Sequence, residues 1–65
     1  MNGELTAREL DVLEDLSTGQ LYKEIADKRG VTIDAIKKHC KNIYRKLQVR
    51  NRTEAAIKFK EGQVK

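Results

Sequence analysis

Apolar residues recur along the chain at every third or fourth position with charged residues between them, the spacing of helices with one buried face. Leu10, Leu13 and Leu16 mark such a face in a first segment that opens on "LTARE". There Thr6 can cap the helix while Glu9 reaches back to the Thr6 amide. Leu5 and Leu10 can close the same end as a hydrophobic staple. "STG" around Gly19 ends the segment, so helix one is predicted from about Ala7 to Ser17. A second, shorter helix follows from about Tyr22 to Arg29, with Leu21, Ile25 and Ala26 as its buried side. Gly30 supplies a left-handed residue at its exit, and Val31 and Thr32 turn the corner. Thr32 is a good N-cap for helix three, Ile33 to about Gln48, and Asp34 suits the positive end of its dipole. "VRN" then separates a fourth helix, where Asn51 and Glu54 offer a second capping box and Gly62 marks the exit. The fold class read from this pattern is all-α: a small four-helix bundle, without strands, forming one domain over residues 1–65.

Helix three has two faces of opposite character. Ile33, Ile36, Cys40, Ile43, Tyr44 and Leu47 gather on one side as predicted core. Asp34, Lys37, Lys38, Lys41 and Arg45 fall within about 100° of one another on the other side. Four positive charges on one strip repel, and only Asp34, spaced for an i,i+4 pair with Lys38, relieves them locally. A solvated helix face is often charged, so the strip gains meaning from its context. It lies on the second of two helices joined by "RGVT", a short turn containing glycine. That is a helix-turn-helix arrangement, whose second helix enters the major groove of DNA. Small Ala26 and Gly30 permit the two helices to approach closely.

Composition narrows the function without fixing it. Sixty-five residues bury only about 60% of the surface of their unfolded chain, which limits the molecule to one small core. Fourteen Lys and Arg against ten Asp and Glu leave a formal charge of +4, which points toward a polyanionic partner. No apolar run is long enough to cross a bilayer, and no signal peptide or lipidation motif is visible, so a cytoplasmic location is expected. A membrane-surface role is disfavoured because the side opposite the lysines is needed to pack the other helices. One cysteine cannot form an internal disulfide, and His39 beside Cys40 falls short of a zinc site. No nucleophile-base pair, paired carboxylates or phosphate-cradling glycine loop is present, so an enzyme is not expected, nor a cofactor or metal.

"LTARELDVL", "KEIA", "IKKHCKNIYRKLQV" and "NRTEAA" occur in the order and spacing of the LuxR/FixJ/GerE-type DNA-binding domain of bacterial transcriptional regulators. The resemblance covers about Leu5 to Phe59. It implies a four-helix bundle in which helices two and three form the helix-turn-helix and the last helix contributes to dimerisation. It also implies an output unit of a larger protein, behind a phosphorylatable receiver or a small-ligand sensor. Three positions depart from the pattern. Arg29 stands where the family usually places leucine, so either its stem snorkels over that site or helix two packs loosely there. Ala35 replaces a frequent threonine. Gln48 replaces a frequent glycine, either lengthening helix three or leaving a non-glycine residue strained.

Roles follow from position on the strip. Base contacts are expected from Lys37, Lys38 and Lys41, which lie toward the N-terminal half of helix three; lysine suits the O6 and N7 acceptors of guanine. Arg45 and Lys23 are better placed for the phosphate backbone, Thr32 can offer its amide or hydroxyl there, and Tyr22 can pack its ring or reach a phosphate. His39 projects from the flank, suited to a hydrogen bond with backbone or phosphate, and Cys40 is expected to behave as a small buried hydrophobe. On helix four, Arg52, Ala55, Ala56 and Phe59 share one side, whereas Ile57 lies away from them. Ile57 and Thr53, with Lys60 at the rim, are expected to form a weak two-fold interface. The partners are then double-stranded DNA, a second copy of the chain and, as a further candidate, RNA polymerase. Two alternatives stand beside this reading: the promoter-reading helix-turn-helix of a sigma factor, and a helical protein-interaction module that binds no DNA.

Overall fold

The computed structural model describes residues 4–62, and among them there are four helices and no strands: α1 Ala7–Ser17, α2 Tyr22–Arg29, α3 Ile33–Leu47 and α4 Arg52–Lys60. The bounds of α1 and α2 agree with the sequence pattern, and α3 stops one residue earlier, at Leu47. Among the described residues no helix is long and apolar enough to cross a membrane.

Each boundary has a local cause. At the start of α1 the Thr6 hydroxyl accepts from the Glu9 amide at 3.1 Å, and the Glu9 carboxylate accepts from the Thr6 amide at 2.9 Å. That is the capping box expected from "TARE". The box at Asn51 forms only by half. Asn51 accepts from the Glu54 amide at 2.9 Å, but the Glu54 carboxylate turns to the Arg50 amide at 2.8 Å and to the Arg50 guanidinium at 2.9 Å. The nearby cation competes successfully for the carboxylate.

At the other ends, three helices close with paired backbone bonds of the Schellman type. In α2 the left-handed Gly30 (φ 69°) lets the Val31 amide reach Ala26 O at 3.0 Å. In α3 the same geometry falls on Gln48 (φ 58°), with the Val49 amide on Tyr44 O at 3.0 Å. Gln48 therefore terminates the helix in a conformation that a side chain disfavours.

Val12, Leu13, Leu16, Ile25, Ala26, Ile36, Cys40, Ile43 and Ala55 form the core, and α3 packs against all three other helices. Of the residues expected on the buried faces, Leu10, Tyr44 and Leu47 are only half-buried, and two more are exposed. Leu21 is 64% exposed and Ile33 is 42% exposed. Both sit where helical spacing loses its meaning. Leu21 is the extended N-cap of α2 (ψ 153°), so a wheel does not describe its direction, and Ile33 is the first residue of α3, where no preceding turn covers it.

Leu21 carries no side-chain acceptor, so the first turn of α2 is capped only by the Glu24 carboxylate on the Leu21 amide at 2.7 Å. Replacing Leu21 by Ser adds the missing acceptor and removes exposed apolar surface. Urea unfolding should show Leu21→Ser more stable by about 1 kcal/mol.

Two buried acids tie the helices together; the sequence pattern marks Glu9 only as a cap and Asp15 not at all. Asp15 on α1 receives Lys28 Nζ at 2.8 Å and Arg29 Nε at 3.0 Å from α2. Glu9, besides capping α1, receives Lys46 Nζ from α3 at 2.7 Å. Arg29 thus packs through an ion pair rather than loosely, and it also reaches Asp11 O at 3.4 Å. Arg52 fastens the start of α4 by donating to Leu16 O and Gln20 O.

Candidate nucleic-acid interface

The α3 strip forms because its inner side is fully committed. Ile36 and Ile43 are completely buried and Cys40 nearly so, which fixes the rotation of the helix about its axis. Lys37, Lys38, Lys41 and Arg45 are consequently all exposed. Lys37, Lys38 and Lys41 make no ion pair within 4.0 Å with any described residue, and Asp34 does not reach Lys38. Arg45 donates to the side-chain oxygen of Asn42 at 3.3 Å, one turn away. Asn42, half-buried beside the strip, is a polar neighbour that the charge pattern does not pick out.

The remaining expected contact residues lie at the start of α3 and in the first turn of α2. Thr32 is exposed, and its hydroxyl oxygen accepts from the Ala35 amide at 3.1 Å, capping α3. Accepting that bond leaves the hydroxyl proton available to an outside acceptor. Lys23 is exposed in the first turn of α2. Tyr22 is half-buried, and its hydroxyl lies 3.4 Å from that of Tyr44, so its ring packs as one of its two expected roles requires. Burial pushes the Tyr44 phenol up from its ordinary value, with the Tyr22 hydroxyl adding to the effect. Burial likewise raises the Cys40 thiol, outweighing the opposite pull of the Tyr22 and Tyr44 hydroxyls. Cys40 therefore stays a protonated hydrophobe. His39 is half-buried on the flank of α3.

On α4, Ala55 is completely buried and Arg52, Ala56 and Phe59 are half-buried, whereas Thr53, Ile57 and Lys60 are exposed. Ile57 is 50% exposed, a large apolar side chain on the face that the bundle does not use. Among the described residues no cluster of His, Cys, Asp and Glu is arranged to hold a metal ion.

A family model described as "Bacterial regulatory proteins, luxR family" matches residues 3–59. Among individual proteins, the transcriptional regulatory protein LnrK of Bacillus subtilis is 50% identical over 54 residues, 83% of this chain and 24% of the relative. The nitrate/nitrite response regulator protein NarP of Escherichia coli is 46% identical over 55 residues, 85% of this chain and 26% of the relative. The response regulator protein VraR of Staphylococcus aureus is 42% identical over 53 residues, 82% of this chain and 25% of the relative. The chain spans about a quarter of the length of these curated relatives.

Proposed function

The chain belongs to the luxR family of bacterial regulatory proteins, and from that premise we propose that it binds duplex DNA sequence-specifically as the output unit of a transcriptional regulator. The supporting observation is the exposed row of Lys37, Lys38 and Lys41, which pair with no described residue, on a helix whose opposite face is held in the core. α3 is 15 residues long, about 22 Å, and a helix of about 10–12 Å diameter fits the width of the major groove. Lys37, Lys38 and Lys41 reach base edges. Arg45, Lys23 and Thr32 grip phosphates, and Tyr22 joins them by turning its hydroxyl proton away from Tyr44. The named relatives are a transcriptional regulatory protein and response regulators, which supports the regulator reading over a sigma factor.

Thr53, Ile57 and Lys60 are the contact through which two copies meet weakly on DNA. Ile57 would lose its exposed apolar surface there, and small Thr53 lets the two helices approach. Selection of binding sites from random duplexes tests both parts. Inverted half-sites about one helical turn apart should be enriched. Sedimentation on such a site should show two copies loading cooperatively, and Ile57→Asp should reduce this to independent loading of single copies. Recovery of no preferred sequence removes the DNA reading. Unchanged cooperativity in Ile57→Asp removes Ile57 from the interface.

A further inference from the structure

We propose that Ile33 is a specificity-determining residue that reads the 5-methyl group of a thymine beside the bases met by the lysines. The inference rests on the DNA-binding reading above and adds to it an apolar contact.

Helical spacing assigns Ile33 to the core, yet its side chain is 42% exposed at the first position of α3. In a helix-turn-helix it is the N-terminal residues of the second helix that meet base edges. Lys37 lies four residues on, one turn above Ile33 and about 40° round the helix, so Ile33 adjoins the lysine edge of the strip. Each Cα–Cβ bond tilts toward the helix N-terminus, so the isoleucine extends the lysine row past the end of the helix. What it extends the row with is a methyl-bearing surface. The apolar feature on the edge of a base pair in the major groove is the thymine methyl, and contact with it is a recognised element of readout.

The site is also held in place. The Val31 amide bonds Ala26 O at 3.0 Å across the left-handed Gly30, and Thr32 Oγ1 accepts from the Ala35 amide at 3.1 Å. The residues on both sides of Ile33 are thus fixed by hydrogen bonds. A β-branched side chain at such a position has few χ1 rotamers to lose on contact. A long flexible residue would lose more.

The test uses the duplexes recovered by selection. The wild-type chain should enrich a thymine at one position flanking the lysine-contacted bases, and Ile33→Ala and Ile33→Asn should relax that preference alone. Replacing this thymine by uracil removes only the methyl group. It should weaken wild-type binding about fourfold, the worth of burying one such carbon group. Ile33→Ala should bind the uracil and thymine duplexes equally. Far-UV circular dichroism confirms that each variant is folded, as expected for an exposed helix-start position. A uracil effect of equal size in wild type and Ile33→Ala overturns the proposal, as does a selected pool without a thymine preference that depends on Ile33. In either case binding itself persists, so the DNA reading stands. Absence of any binding by the wild type overturns both.

Discussion

Replacing Lys37, Lys38 and Lys41 together by alanine is expected to lower affinity for a selected duplex roughly a thousandfold and to erase the difference between that duplex and a random one. A side-chain contact to a base edge is worth about 1–3 kcal/mol, and three neighbouring contacts do not add fully, so a combined loss of about 4 kcal/mol is expected. The fold should not change. All three lysines are exposed, none pairs with a described residue, and alanine is the best helix former, so α3 should be at least as stable. Arg45→Ala makes the contrast. A phosphate contact carries no sequence information, so its loss should weaken binding to all duplexes alike and reduce the slope of log K against log salt by about 0.9. Fluorescence anisotropy over a salt series measures both quantities. If the triple variant keeps both its affinity and its sequence preference, α3 is not the reading helix.

Much of this candidate interface is legible in the sequence because it depends on one angular relation. Once Ile36, Cys40 and Ile43 are assigned inward, 100° per residue places Lys37, Lys38, Lys41 and Arg45 outward, and the structure places them there. Helix starts are legible for a different reason. Thr6, Thr32 and Asn51 announce themselves through short polar side chains whose oxygen meets an amide three residues on.

The pattern fails where a helix wheel does not apply, or where partners are far apart in sequence. Ile33 and Leu21 have apolar character but sit at helix starts, where burial depends on which neighbour happens to pass. Asp15 and Glu9 look like ordinary acids on a charged helix, and their partners lie 13 to 37 residues away. Nothing local distinguishes Asp15 from exposed Asp11 or Glu14, and the capping signal that marks Glu9 says nothing of Lys46. The Arg29 departure from the family pattern pointed at the same spot without revealing its cause, which is a carboxylate on another helix. A periodicity argument reads faces, whereas a buried ion pair is a property of two faces already docked.

That buried carboxylate should be among the most sensitive positions for stability. Asp15→Asn is expected to cost about 2–3 kcal/mol and lower Tm by roughly 8–24 °C, a large share for a domain whose single small core supplies only about 3–5 kcal/mol. Asp15 is 2% exposed and holds both Lys28 and Arg29, so an amide there takes the counter-charge from Lys28 and leaves Arg29 only the exposed Asp11. The cost stays below that of a fully interior pair because the Lys28 side chain is half-exposed and can recover water. Asp11→Asn should change stability by less than about 0.5 kcal/mol, since Asp11 is exposed and stands 3.7 Å from Arg29. The pH dependence follows from the same contacts. Burial opposes ionisation of Asp15, but the hydrogen bonds and charges of Lys28 and Arg29 outweigh it and hold the carboxyl below its ordinary value. For Glu9 burial is likewise outweighed, by Lys46 and the Thr6 amide. A carboxyl depressed in the folded state stabilises fully above its unfolded value, about 4, and the contribution disappears as pH falls through the folded value. Wild-type stability should therefore be level near neutrality and fall steeply below about pH 4, while the gap between wild type and Asp15→Asn narrows over the same interval. Urea unfolding at a series of pH values checks this directly. A gap that stays constant down to about pH 2 would mean that the carboxylate charge contributes nothing and that Asp15 acts only by its shape.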